Sequence, residues 1–288
     1  MTHAYTTTVE PQVLNAHIGD PNWVVLDCRF VLKEPEAGQE DYDLEHLPNA
    51  HYAHLERDLS GPRIAGAGRH PLPTLSAFRA TLGRWGITPN SQVVVYDEAS
   101  SVYASRLWWM LREFCGHKAV AVLNGGLGAW RKLGLPLTQE IPPVRNAPPY
   151  PLIASTVCTW VDTDAVADVV AGRSSRLLID ARGSARYQGA VEPFDPVAGH
   201  IPGALNRPFE DNLQADETFQ SQEALQAAFT KLLGSYKPQD VVHYCGSGVS
   251  ACHNILAMTI AGFGTTALYP GSWSAWVSDT ARPVVREV

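Results

Sequence analysis

Val241-Val242-His243-Tyr244-Cys245-Gly246-Ser247-Gly248-Val249-Ser250-Ala251, running on into Cys252-His253-Asn254-Ile255-Leu256-Ala257-Met258, decides how this chain is read. A short, β-branched apolar run predicts a buried strand of a parallel sheet, and the apolar-periodic run after it predicts a helix. Between them, Cys245 to Ser250 forms a six-residue turn with two glycines and two serines. Glycine lets a backbone approach a ligand closely and take positive φ, so successive N–H groups can point into one concavity. The positive end of the following helix adds to that field. A cysteine at the mouth of such a cradle is placed to react as its thiolate. Most cysteines that end a strand are small core hydrophobes, but a core cysteine has no use for the Gly-Ser-Gly that follows this one. Cys245 is therefore the candidate nucleophile. Gly246, Ser247, Gly248, Val249 and Ser250 supply the candidate cradle for the group it carries.

The same loop excludes phosphatase chemistry. Clamping a tetrahedral dianion calls for a guanidinium at the end of the loop. Here that position is Ala251, and neither Arg nor Lys occurs between Cys245 and Asn254. With N–H donors alone, the loop suits a small or singly charged group such as the outer sulfur of a persulfide.

Composition narrows the class. The chain has 288 residues, 45% of them apolar and 18% charged, which is enough for two globular domains. A net charge of −7 without a basic cluster argues against a nucleic-acid partner. The five cysteines (28, 115, 158, 245 and 252) are odd in number, scattered and without paired metal spacing. That pattern suits a reducing, cytoplasmic location better than a disulfide framework. The first ten residues have neither a basic region nor an apolar core, so no signal peptide is expected. Asn254 to Ser278 is uncharged, but Gly262, Gly264, Pro270 and Gly271 break it into helix, turn and strand. No membrane span is expected there.

The chain also repeats itself. Leu26-Asp27-Cys28-Arg29 returns as Ile179-Asp180-Ala181-Arg182, and His46-Leu47-Pro48-Asn49-Ala50 as His200-Ile201-Pro202-Gly203-Ala204. Gln92 to Asp97 returns as Asp240 to Cys245, and Gly125 to Trp130 as Gly271 to Trp276. Four stations in one order indicate a tandem duplication. Strands are expected at Trp23–Asp27, Gln92–Tyr96 and Ala119–Leu123. Helices are expected at Ser76–Trp85, capped by Ser76, and at Tyr103–Phe114. Alternating strands and helices give an α/β chain of two domains with mostly parallel sheets. The expected domains are 1–135 and 156–288, joined by a proline-stiffened linker at 136–155. Where the second copy has Cys245, the first has Asp97, in an acidic loop. A carboxylate cannot carry sulfur, so the first domain is expected to be catalytically silent.

These residues together resemble the tandem-domain rhodanese family of sulfurtransferases. The matching motifs are Asp180-x-Arg182, Arg186-Tyr187, Gly199-His200-Ile201-Pro202-Gly203-Ala204, the Cys245 loop and Pro270-Gly271-Ser272-Trp273-Ser274-Ala275-Trp276. The resemblance spans nearly the whole chain and implies two rhodanese-like domains, each a mostly parallel sheet flanked by helices. Its Cys-Gly-Ser-Gly-Val-Ser-Ala loop is similar to that of 3-mercaptopyruvate sulfurtransferases, whereas thiosulfate-preferring members carry Arg-Lys after the cysteine. The family implies that Cys245 takes a sulfane sulfur as a persulfide and passes it to a thiol, thioredoxin or cyanide, with no metal or organic cofactor. Thiosulfate as donor, or a relay accepting persulfide from a partner protein, stands as the alternative.

Arg186 is the candidate for holding the donor's carboxylate. The family's second carboxylate-binding arginine is missing here, because Glu192-Pro193 is followed by Phe194-Asp195. Arg207 or Arg69 is left to take its place. The family also suggests a proton relay of Ser247, His70 and an acid, either Asp58 or Glu56. Arg182 and His200 recur in the silent half as Arg29 and His46, which marks them as structural. Cys252, on the helix, is expected to pack.

Overall fold

The computed structural model describes residues 4–145, 147–153, 159–264 and 266–287. Cys158 and linker positions 146, 154 and 155 therefore lie outside the described residues. The chain forms two compact units. The first comprises residues 1–61, 73–156 and 215–218, and the second comprises 62–72, 157–214 and 219–288.

The first unit is a parallel five-stranded sheet in the order β1-β5-β4-β2-β3. Its strands are β1 (Thr8–Val9), β2 (Trp23–Asp27), β3 (Ala50–Tyr52), β4 (Gln92–Tyr96) and β5 (Val120–Leu123). The central strand β4 is buried from end to end and pairs with β2 in register, Val94 opposite Val25 and Tyr96 opposite Asp27. Both faces are covered, so the strand reads as an unbroken apolar run. The helices are α1 (Pro11–His17), α2 (Ala37–Leu44), α3 (Leu75–Arg84), α4 (Val102–Trp109) and α5 (Gly126–Lys132).

Two local expectations need correction. The cap of α3 is Thr74, whose hydroxyl accepts from Ala77 N at 3.2 Å, so Ser76 falls inside the first turn. The helix expected at 103–114 is α-helical only as far as Trp109, and Met110–Phe114 widens into a π-helical turn. The proline-rich stretch packs on this unit. Tyr150 is buried with its hydroxyl 2.9 Å from His117 Nδ1, and Thr138 bridges His46.

The second unit repeats the plan. Strands β6 (Leu177–Asp180), β7 (Leu205–Asn206), β8 (Val241–Tyr244) and β9 (Ala267–Leu268) form a parallel sheet in the order β7-β6-β8-β9. Trp160 bridges Leu268 in parallel, where β1 stands in the first unit. Around the sheet lie α6 (Thr163–Val170), α7 (Ser184–Gln188), α8 (Gln222–Leu233), α9 (Ala251–Ile260) and α10 (Ser272–Trp276). The core is Leu178, Val242 and Tyr244 from the sheet against Trp273 and Trp276 from α10.

The duplication extends to individual bonds. Arg29 grips Asp27 at 2.7 Å and the Glu45 carbonyl at 2.6 Å; Arg182 grips Asp180 and the Gly199 carbonyl, both at 2.7 Å. Tyr96 and Tyr244 each accept a backbone N–H, from Leu47 and Ile201, at 3.2 Å. His46 stacks on Tyr42 and His200 on Tyr187. Among the described residues, no helix is long and apolar enough to cross a membrane.

Candidate active site

Cys245 follows β8 directly, and α9 begins at Ala251, so the loop between them is as short as the sequence implies. Three bonds from the Pro270–Ser274 turn fix its start. Cys245 N donates to Ser272 Oγ at 3.1 Å, while Trp273 N and Ser274 N donate to the carbonyls of Cys245 and Gly246 at 2.9 Å. Ser272 takes a left-handed φ of 52° and donates in turn to Tyr269 O at 2.9 Å. This is why the Gly-Ser-Trp motif accompanies the cysteine. Gly248 has a φ of 77°, and a Cβ there would lie 2.4 Å from Pro270 O, so both conformation and space require glycine.

The geometry frees the cradle. The main-chain N–H groups of Gly246, Ser247, Val249, Ser250 and Ala251 donate to no acceptor among the described residues. Buried amides are almost always paired in folded proteins, so these amides beside a thiol form a candidate ligand position. Cys245 is 2% exposed and forms no disulfide.

Two guanidiniums stand over the loop. A Cβ on Gly246 would meet Arg69 Nη2 at 3.0 Å and Arg186 Nη2 and Nη1 at 3.2 and 3.4 Å. Both lie against Phe194, with Cζ 5.7 and 5.2 Å from its ring centroid. Arg69, in the segment that belongs to the second unit, is fixed by its N–H to Ser274 Oγ at 3.0 Å. Arg207, the other arginine left open by the sequence, is engaged elsewhere. It bonds Asn212 Oδ1 at 3.1 Å and the Asp211 carbonyl at 2.7 Å, over Phe229.

Acids hold these cations. Glu192 receives Arg186 Nη2 at 2.7 Å and Arg182 Nη1 at 3.1 Å, and it also accepts from Phe194 N at 3.1 Å. Asp195 pairs with Arg69, and its second oxygen lies 3.8 Å from Arg186 Nη2. Burial pushes the Asp195 carboxyl above its ordinary range, and the bond to Arg69 pulls it back. No local pattern of residues signalled the Arg69–Asp195 pair.

Ser247 and His70 meet, with Oγ 2.8 Å from Nδ1, and both are buried. Asp58 belongs to the first unit. There it accepts from His54 N and from Arg84 Nη2, both at 3.0 Å. Cys252 packs on α9, its thiol 3.5 Å from the Gly248 carbonyl.

The Rhodanese-like domain matches this chain twice, over residues 10–133 and 164–279. The chain belongs to that family. It is 43% identical over 274 residues, 95% of each chain, to a Pseudomonas aeruginosa protein named probable 3-mercaptopyruvate sulfurtransferase. It is 35% identical over 265 residues, 89% of this chain and 85% of the other, to thiosulfate sulfurtransferase of Mus musculus. Among solved structures it resembles SseA from Escherichia coli, described as a 3-mercaptopyruvate sulfotransferase. The TM-score is 0.78 at 29% identity, covering 94% of this chain and all of that one.

Proposed function

We propose that this chain is a sulfurtransferase that moves a sulfane sulfur from 3-mercaptopyruvate, through a persulfide on Cys245, to a thiol acceptor such as thioredoxin, or to cyanide. The supporting observation is that the amides of Gly246, Ser247, Val249, Ser250 and Ala251 donate to no acceptor among the described residues, beside the Cys245 thiol and with two guanidiniums one residue away.

In the first step the Cys245 thiolate attacks the donor sulfur. An S–S bond forms, the donor's C–S bond breaks, and the electron pair leaves on carbon as the enolate of pyruvate. The enolate takes one proton, and the donor's own thiol proton remains with the outer sulfur. In the second step an acceptor thiolate attacks that outer sulfur and Cys245 returns as the thiolate, which is covalent catalysis in two halves. The loop amides hold negative charge on the transferred sulfur without reorganising. Arg186, joined by Arg69, orients the donor's carboxylate by charge-assisted hydrogen bonds. Ser247 and His70, 2.8 Å apart, form a path for the proton. None of the four described cysteines forms a disulfide, which fits work in a reducing compartment such as the cytoplasm.

Mass spectrometry of the protein after incubation with 3-mercaptopyruvate tests this. One added sulfur is expected on the Cys245 peptide, absent in Cys245→Ser and retained in Cys252→Ser. Turnover should fall at least about a thousandfold in Cys245→Ser. Faster turnover with thiosulfate at equal concentration would reassign the donor. An adduct formed only from a partner protein's persulfide would make the chain a relay.

A further inference from the structure

The two guanidiniums above the loop do not face the donor site as free charges. Around them lie three cations (Arg69, Arg182 and Arg186) and three anions (Asp180, Glu192 and Asp195), so the group is electrically balanced before any donor arrives. Asp180 and Arg182 belong to the structural pair found in both units, and Glu192 is committed to Arg182 and Arg186 together. Asp195 differs. Its side chain is 4% exposed, and its Oδ1 holds Arg69. Its Oδ2 is buried with no hydrogen-bond partner among the described residues, 3.8 Å from Arg186 Nη2. A buried carboxylate oxygen without a donor is costly. Here it lies between the two arginines that face Gly246.

We propose that Asp195 is the built-in counter-ion of the donor pocket and sets its charge preference, admitting singly charged donors and discriminating against doubly charged ones. Resting on the sulfur-transfer function proposed above, this names what selects among its donors. 3-Mercaptopyruvate brings one carboxylate charge to the arginines, and thiosulfate brings two. Repulsion from a fixed carboxylate grows in proportion to the ligand's charge. Removing that carboxylate should therefore improve binding of a dianion by the square of the factor gained by a monoanion. The acid keeps the Arg69–Arg186 pair together while cancelling half its charge.

The test separates charge selection from chemistry by using unreactive anions. Pyruvate and sulfate are titrated into Cys245→Ser protein with Asp195 intact and with Asp195→Asn, and affinities are read by calorimetry at constant ionic strength. Asp195→Asn should tighten pyruvate by about fivefold and sulfate by about twenty-five-fold. Arg69→Gln, which leaves Asp195 without its partner, should move both affinities the other way, sulfate more. In the intact enzyme, Asp195→Asn should raise kcat/KM for thiosulfate more than for 3-mercaptopyruvate. Equal factors for the two anions, or no change in either variant, would overturn the proposal and leave Asp195 a structural partner of Arg69. Discrimination of the anions in a protein whose Cys245 takes no sulfur from either donor would refute the proposed function while supporting the counter-ion.

Discussion

After β4, the amides of Ser101, Tyr103 and Ala104 turn onto the carboxylate of Asp97, at 2.8, 2.9 and 3.2 Å. After β8, at the matching point of the second unit, the amides from Gly246 to Ala251 find no such acceptor, except that Gly248 has a contact of its own. The two loops are pinned in the same way. Leu127 N and Gly128 N bond the carbonyls of Asp97 and Glu98 as Trp273 N and Ser274 N bond those of Cys245 and Gly246. One scaffold therefore has two outcomes. In the first unit a carboxylate of the chain takes up three of the amides that follow it. In the second the matching residue is a cysteine, and the amides of Gly246, Ser247, Val249, Ser250 and Ala251 have no acceptor among the described residues. Burial pushes the Asp97 carboxyl up to about 6, with the three amides opposing. A cavity of about 310 Å³ beside Asp97 is lined by Arg29, Phe30, Glu98 and Tyr103 among others, and its acids disfavour an anion.

The largest break in this comparison should come from Gly248→Ala. The first loop turns without glycine, placing Ser101 at a left-handed φ of 60°. The second cannot, because a Cβ at Gly248 would lie 2.4 Å from Pro270 O. The substitution should lower kcat/KM by about a hundredfold through misplaced amides. It should also cost about 1–3 kcal/mol of stability from strain. Both are read from kinetics and chemical unfolding on one preparation. Unchanged kcat/KM would mean that the loop's shape is not what the thiol depends on.

Next in size is Asp97→Ala. Losing the carboxylate orphans three amides at the start of α4, and removing such a cap costs about 1–2 kcal/mol, more where the groups are buried. Turnover per folded molecule should not change, because Asp97 serves its own unit. A loss of activity larger than the loss of folded protein would overturn the expectation that the first loop is catalytically silent.

The parts of this comparison that were legible in the sequence are the local ones. Strands β2, β4 and β8 showed as short β-branched runs because both their faces are buried. The duplication showed because Asp-x-Arg, His-x-Pro and Gly-x-Trp stations build the same bonds twice. Gly248 beside Ser247 signalled a backbone turn that only glycine makes, which its φ of 77° bears out. What stayed hidden depends on distant pairings. Arg69 and Asp195 are 126 positions apart, so no periodicity joins them, whereas Ser247 and His70, 177 apart, were paired through the family resemblance alone. Arg69 and Arg207 were equivalent on composition, and only the fold separates them. Thr74 and Ser76 are both good caps, and which one served depended on where the chain entered α3.

The smallest predicted effect concerns the strand beneath the loop. Val95 of β4 pairs with Leu26 as His243 of β8 pairs with Ile179, so the second unit carries a buried imidazole where the first carries valine. His243 is fully buried with Nε2 3.2 Å from Met258 Sδ, and burial drives its pKa down to about 3. Because the folded pKa is depressed, the native state stays neutral while the unfolded chain takes up a proton as pH falls through about 6.5. Stability is complete above that value and is lost as pH drops toward 3. Between about pH 7.5 and about pH 5.5 the cost reaches about 1.4 kcal/mol. His243→Val should abolish that share of acid sensitivity, leaving what His51, His54 and His117, also depressed by burial, contribute in the first unit. Guanidinium unfolding at the two pH values should show the difference between wild type and variant shifting by about this amount in the variant's favour at the lower pH. A difference independent of pH would mean that the imidazole gains its proton without unfolding, and that this strand tolerates a charge its counterpart in the first unit never meets.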